Sequence, residues 1–148
     1  MAKFNFGMQS ILNLRERLEE QKEQEFAKAL QILTAAKQLM ENLNQQKSGA
    51  ILKLKDEIGI QIKPIDFQQY SNYIEVIKQK IENQKEAIVQ AEKFVEKKRL
   101  ELIESTKERK MMEELKENEF EEYIEEGKKT EQKQVDEIVS YRFRPIAK

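Results

Sequence analysis

Two long runs of residues repeat apolar side chains at alternating steps of three and four. The first run extends from Phe26 to Leu54 and the second from Phe67 to Met112. Such steps place apolar side chains on one stripe of an α-helix, the arrangement that coiled coils require. The sequence therefore predicts two long helices that pack along apolar seams.

Most seam positions in both runs carry apolar residues. The first seam comprises Phe26, Ala29, Leu33, Ala36, Met40, Leu43, Lys47, Ala50 and Leu54. The second comprises Phe67, Tyr70, Ile74, Ile77, Ile81, Gln84, Ile88, Ala91, Val95, Lys98, Leu102, Ser105, Arg109 and Met112. Upstream of the first run, the apolar residues Ile11, Leu14 and Leu18 predict a continuation of the seam. Their spacing predicts a stutter at Lys22 that locally straightens the supercoil.

The segment between the two runs has the features of a helix-to-helix turn. Gly59 suits a C-terminal cap, and the residue before Pro64 is forced out of the α conformation. Asp66 is a good N-cap for a second helix. The sequence thus predicts a single coiled-coil domain with helix one over about 8–58 and a turn at 59–65. Helix two is predicted over about 66–126, followed by a tail over 127–148.

A short connection favours antiparallel packing of the two helices. Setting Leu54 opposite Tyr70 pairs the other seam positions across the hairpin, and the alanines of helix one then meet large residues of helix two. These pairs include Ala50 with Ile74, Leu43 with Ile81, Met40 with Gln84, Ala36 with Ile88 and Ala29 with Val95. In the same register Phe4 and Phe6 fall near Leu115 and Phe120, which predicts an aromatic cluster at the terminal end. The expected fold is an all-α antiparallel hairpin with a C-terminal helical overhang.

Composition excludes several classes of function. The chain lacks histidine and cysteine, which removes imidazole bases, thiol nucleophiles and thiolate metal ligands. It contains no P-loop, no dinucleotide-binding glycine pattern and no nucleophile elbow. Carboxylate pairs such as Glu19 and Glu20 would need a walled pocket, which a two-helix layer does not offer. The sequence predicts a protein that is not an enzyme and binds no metal or cofactor.

Charge and hydropathy argue against nucleic-acid and membrane partners. The 27 basic and 28 acidic residues are interleaved, so no extended field attracts polyanions. No segment approaches the roughly 18–20 apolar residues that span a bilayer, and no signal-peptide core is present. A soluble protein that binds other proteins is therefore expected.

Two sets of residues are candidates for binding a partner. Tyr73 lies one position off the seam, so its ring is either a flanking packing residue or an exposed anchor. Val135, Ile138 and Val139 form an apolar stripe at helical spacing without a predicted cover in the chain. The stripe is either a docking surface or a tail that packs back on the hairpin.

Three motifs in order resemble those of the FliJ family. They are Phe4-x-Phe6 with Gln9 and Ile11-Leu12-x-Leu14-Arg15-Glu16, then Tyr70, Tyr73, Ile74, Ile77 and Ile81, then Glu131-x-Lys133-x-Val135-Asp136-Glu137-Ile138. The chain is similar over nearly its whole length to this small coiled-coil component of the bacterial flagellar type III export apparatus.

The resemblance implies a set of partners and a site. A FliJ-like protein inserts into the hexameric ring of the export ATPase FliI, contacts the export gate protein FlhA and escorts empty export chaperones. It is cytoplasmic and associates peripherally with the inner membrane through the export apparatus. The resemblance places the gate-binding surface on Tyr73, Ile77, Lys80 and Gln84, and the ATPase at the end that carries both termini.

A second class of binding protein is compatible with long coiled-coil helices. A holdase-type chaperone resembling a prefoldin subunit would grip unfolded clients with its helices. Such a protein needs β-hairpins for oligomerisation, and the segment from Gly59 to Pro64 is too short to form one.

Overall fold

The computed structural model describes residues 3–142, which form two helices joined by a short turn. Helix α1 runs from Gln9 to Ile58 and helix α2 from Pro64 to Arg142. No strand occurs within the described range. The two long helices contact each other extensively, which confirms the predicted all-α hairpin.

Helix α2 begins at Pro64, two residues before the predicted N-cap. The carbonyl of Lys63 accepts the backbone N–H of Phe67 at 3.0 Å, which closes the first turn. Proline fits a first helical position because its missing N–H would lack an intrahelical partner there. Asp66 therefore lies inside the first turn, where its charge is favourable beside the positive end of the helix dipole.

The chain reverses direction through Gln61 rather than through Gly59. Gln61 adopts a left-handed backbone conformation with φ of 73°, whereas no described glycine has a positive φ. The N–H of Ile60 donates to the carbonyl of Glu57 at 3.0 Å and finishes α1. Helix α1 ends at Ile58, directly before Gly59, as predicted, but the left-handed residue of the turn is Gln61, two positions further along the chain.

The predicted end of helix two near residue 126 is also wrong. Helix α2 continues through Gly127 to Arg142. A single glycine costs a helix only about 1 kcal/mol relative to alanine, and the residues after it are mostly good helix formers. The overhang expected from the sequence is thus a direct extension of α2, and residues 143–148 of the predicted tail lie outside the described range.

Contacts divide the chain into two units, one of residues 21–103 and one that pairs residues up to 20 with those from 104 onward. In the unit of residues 21–103, Leu43, Ile77 and Ile81 form a buried cluster against which Met40 packs. Every first-seam residue from Phe26 to Leu54 is at least partly buried, whereas Phe67 is exposed. The seam prediction holds here, and the single-domain organisation stays a prediction.

In the other unit, the predicted seam of Ile11 and Leu14 is wrong. These side chains are 40% and 53% exposed, whereas Leu12 between them is only 3% exposed. The seam instead keeps its steps of three and four through Arg15 and Glu19, both partly buried. There is no stutter, because these charged residues take seam positions and find ionic partners on α2.

The terminal aromatic cluster forms as predicted. The ring of Phe4 lies 5.2 Å from the ring of Phe120, edge to face, and 5.5 Å from that of Tyr123. Phe6 is 4% exposed. Edge-to-face pairs of this kind add about 0.5–1.5 kcal/mol beyond the area they bury. The segment before α1 is therefore anchored to α2 by aromatic packing.

Candidate interaction faces

A four-residue ionic layer interrupts the apolar seam in the unit of residues 21–103. Lys22 Nζ lies 3.3 Å from Glu25 Oε2 and 3.4 Å from Glu101 Oε2. Lys98 Nζ contacts the same two carboxylates at 3.3 and 3.2 Å, and lies 5.4 Å from the centre of the Phe94 ring. Two lysines at the seam are thus each shared between one glutamate of α1 and one of α2.

A second ionic group lies in the unit that contains both chain ends. Arg109 Nε donates to both carboxylate oxygens of Glu19 at 2.8 Å, and its Nη1 donates to Glu113 at 2.7 Å. Arg15 Nη1 donates to Glu108 at 2.7 Å. Ionic pairs at partly buried seam positions cost desolvation but leave no charge unpaired, so they specify which residues face each other.

These pairs shift the pKa values of their carboxylates. The hydrogen bond from Arg109 holds the pKa of Glu19 below its ordinary 4.5. The hydrogen bond from Lys98 lowers the pKa of Glu101, and that from Lys22 lowers the pKa of Glu25. The hydrogen bond to Glu101 raises the pKa of Lys98 in return. Each shift means that the folded hairpin favours the charged form.

We expect the Glu19 pair to stabilise the hairpin at neutral pH and to lose that effect in acid. A carboxylate whose folded pKa is lowered contributes stability above its ordinary pKa, and that contribution disappears as pH falls through the folded value. Glu19→Gln should therefore lower the melting temperature at pH 7, and the deficit should shrink as pH falls below 4.5. Thermal melts followed by circular dichroism measure this; a deficit that persists unchanged at pH 3 would contradict it.

The four residues assigned to the export gate by resemblance do not share one surface. Tyr73 and Lys80 are exposed, but Ile77 is 2% exposed and belongs to the core cluster. Gln84 is partly buried and donates from Nε2 to the carbonyl of Ala36 at 2.8 Å. Ile77 and Gln84 therefore face α1 in the closed hairpin, and only the other two are available to a partner.

Val76 belongs with the exposed pair and was not predicted from the sequence. Its side chain is 52% exposed and lies between Tyr73 and Lys80 on one face of α2, at spacings of three and four. An open hollow of about 460 Å³ lies beside Tyr73, lined by Glu57, Asp66, Gln69, Tyr70 and Tyr73. The Tyr70 hydroxyl donates to Glu57 at 2.9 Å in its wall. The signal that could have found Val76 was its helical spacing from Tyr73.

The apolar stripe near the end of α2 is exposed throughout. Val135, Ile138 and Val139 are about half exposed, and no residue between 124 and 142 is buried. The alternative of a tail packed back on the hairpin is therefore wrong for the described part of α2. Because Tyr141 is also largely exposed, this end of the helix presents several apolar side chains to solvent.

The acidic groups and the two helices of the described residues bear on metal binding and on membrane insertion. Over residues 3–142 no group of three or more acidic side chains could hold a metal ion. Neither helix, as far as it is described, contains a stretch long and apolar enough to cross a bilayer. What the surface does provide is exposed apolar side chains on helical faces, the usual means by which one helix recognises another.

Fold and surface together define a two-helix coiled-coil hairpin with exposed apolar side chains on its helix faces. Residues 4–146 match the family model of the flagellar FliJ protein. No curated protein sequence matches the chain. Its fold is similar to that of a putative YscO homolog from Chlamydia trachomatis, with a TM-score of 0.68 and 18% identity over 94% of each chain.

The chain belongs to the flagellar FliJ protein family. It is therefore a coiled-coil protein of the flagellar type III export apparatus. Members of this family are structural components of the export apparatus and are not known as enzymes.

Proposed function

We propose that this protein couples a hexameric export ATPase of the FliI type to an export gate protein of the FlhA type, without hydrolysing nucleotide itself. It acts peripherally at the inner membrane and escorts empty export chaperones. The observation that carries the proposal is the exposed apolar face of Val135, Ile138 and Val139, which no described residue covers. Membership of the family supplies the kind of partner.

The ATPase contact is assigned to the unit that contains both chain ends. A helix with an uncovered apolar stripe lowers its free energy by docking into an apolar groove or channel. One helix presents different faces to successive subunits of the ring, and each face would favour a different subunit conformation. The conformational equilibrium of the ATPase is then shifted by these contacts, without chemistry in this chain. Coupling of this kind needs no catalytic residue in the chain.

The gate contact is assigned to Tyr73, Val76 and Lys80. An exposed tyrosine beside an open hollow is a common anchor in protein interfaces, because its ring adds apolar area and its hydroxyl adds a hydrogen bond. Lys80 adds a charge at the edge of the same face. Ile77 and Gln84 serve this contact indirectly, since they hold α2 against α1.

Turnover of the purified export ATPase tests the first half of the proposal. Adding the full chain in increasing amounts is expected to raise ATP hydrolysis or promote assembly of the ring. A hydrolysis rate and an assembly state that stay unchanged at every ratio would refute the coupling role.

Binding to the cytoplasmic part of the gate protein tests the second half. Tyr73→Ala is expected to weaken binding at least about tenfold, as expected for loss of an interface anchor. Lys85→Ala is the matched control, because Lys85 is exposed on α2 outside this face and, among residues 3–142, pairs only with Glu82 on the same helix. Equal binding by both variants and the wild type would remove Tyr73 from the gate contact.

A further inference from the structure

Residues that immediately precede a seam residue form one flank of the hairpin. The charged residues on this flank differ between the two units. In an antiparallel pair these positions of the two helices lie on the same side. The contacts bear this out, since Glu25 and Glu101 both precede a seam residue and share two lysines. One shallow hollow likewise joins Gln46, Gly49 and Lys53 of α1 to Tyr73 of α2.

Over residues 28–53 of α1 and 73–97 of α2, this flank carries lysines and no acidic residue, whereas Glu25 and Glu101 lie beyond these ranges in the ionic layer. We call it the lysine face; it comprises Lys28, Ile32, Ala35, Leu39, Asn42, Gln46, Gly49 and Lys53 of α1 with Tyr73, Val76, Lys80, Asn83, Ala87, Gln90, Phe94 and Lys97 of α2. The chain as a whole has 28 acidic residues among 148. A face without any of them is therefore an exception to the interleaved charge seen elsewhere.

The lysine face also exposes apolar side chains and unpaired charge. Ile32, Leu39, Val76 and Phe94 are all at least 40% exposed. Within residues 3–142 none of its four lysines forms an ion pair. An apolar surface bordered by unpaired lysines is complementary to an apolar surface bordered by carboxylates.

The other unit carries such a surface. Its residues that precede a seam residue form the glutamate face, which comprises Ile11, Leu14 and Leu18 of α1 with Glu104, Glu108, Met111, Leu115, Asn118 and Glu122 of α2. No lysine or arginine is among them. Ile11, Leu14, Met111 and Leu115 are exposed, and Glu104 and Glu122 have no ionic partner in the described part of the chain.

We propose that the lysine face is the docking surface for the glutamate face of a second copy of this chain. Docking buries leucine, isoleucine, methionine and phenylalanine side chains from both copies, which supplies the affinity. On α2, Lys80 and Lys97 are separated by nearly the same length of helix as Glu104 and Glu122. The two lysines of one copy therefore meet the two glutamates of the other, which selects the pairing and excludes like faces. Because Tyr73 belongs to the lysine face, a docked copy covers the gate contact proposed above.

Charge reversal tests this with the full chain alone, by sedimentation velocity over a range of concentrations. The wild type is expected to form a concentration-dependent dimer that weakens as salt is raised. The basic-to-acidic variant Lys80→Glu/Lys97→Glu and the acidic-to-basic variant Glu104→Lys/Glu122→Lys should each raise the dissociation constant at least about tenfold. An equimolar mixture of the two variants should restore the dimer, since it pairs acidic with basic faces again.

Lys37→Glu/Lys93→Glu is the matched control, because both lysines are exposed outside the lysine face and the change in net charge is the same. It should dimerise like the wild type. A wild type that stays monomeric from micromolar to submillimolar concentration overturns the proposal, as does a mixture that fails to restore the dimer. A monomer that instead binds an acidic amphipathic peptide would assign the lysine face to another protein. Since only this chain is present, failure here leaves the ATPase and gate proposals untouched.

Discussion

Ile77→Ala is expected to lower the free energy of unfolding by about 2–5 kcal/mol, the usual cost of removing a large apolar side chain from a packed core. Ile77 is 2% exposed and packs in the cluster with Leu43 and Ile81, so alanine would remove buried apolar contacts there. Chemical denaturation of the full chain, followed by circular dichroism, measures the difference.

The neighbouring residue provides a matched control for this substitution. Val76→Ala removes an apolar side chain from the adjacent position of the same helix, but the side chain is 52% exposed. Its effect on the free energy of unfolding should stay within about 0.5 kcal/mol, as for most surface positions. Equal costs for the two variants would mean that Ile77 is not packed between the helices.

The same pair of variants separates two explanations of a lost gate contact. If Val76 touches the gate directly, Val76→Ala weakens gate binding while the hairpin keeps its stability. Ile77→Ala weakens binding only in proportion to the loss of folded hairpin, so added partner should restore it by mass action. Residues transferred from a family by resemblance can thus be sorted into those that touch a partner and those that hold the helix in place.

Ile138→Asp is expected to weaken binding to the export ATPase at least about tenfold while leaving the stability of the hairpin unchanged. The substitution puts a charge in the centre of the stripe formed with Val135 and Val139, and a charge without a partner is costly to bury in an apolar contact. In the free protein the side chain is 56% exposed, so nothing is disturbed there. ATPase turnover and direct binding at increasing protein concentration measure the loss.

Ser140→Asp is the control for this prediction. It adds the same charge two residues away, on the opposite side of the helix, and has a similar effect on helix propensity. It should bind and stimulate the ATPase like the wild type. Loss of activity in both variants would point to the charge or the helix itself, and full activity of Ile138→Asp would remove the stripe from the ATPase contact.

The sequence was sufficient to predict most of the seam within the unit of residues 21–103. This seam follows an apolar repeat, and burying each apolar side chain between the helices lowers the free energy of the fold. Most of the residues that the repeat predicts to be buried therefore pack between the helices. The connection is short enough to force an antiparallel return, and the register at Leu54 and Tyr70 then follows. The cluster of Leu43, Ile77 and Ile81 confirms it.

Sequence reasoning failed where charged residues occupy the seam. It followed Ile11 and Leu14 because they are apolar, yet the structure turns Leu12, Arg15 and Glu19 inward. The ions that make this possible are Glu108 and Arg109, about 90 residues away along the chain. A pattern confined to one helix contains no signal of them, so the stutter was a reasonable but wrong prediction.

The candidate sites divide in the same way. The sequence identified the stripe of Val135, Ile138 and Val139 but left open whether it packs back on the hairpin. The structure shows it exposed, and its role in binding stays a prediction. The gate residues taken from the resemblance include Ile77 and Gln84, which the seam pattern already places toward α1, as the structure shows. Resemblance assigns positions along a chain and cannot tell a buried side chain from an exposed one.

By itself, then, the sequence determined two long helices, their antiparallel return and most of one seam, because these depend on periodicity and chain connectivity. Tertiary structure alone decided which side chains near the ends of the chain face inward and which face of α2 is free. Those choices depend on ionic partners and apolar neighbours supplied by the opposite helix, and their energies exist only once the two helices meet.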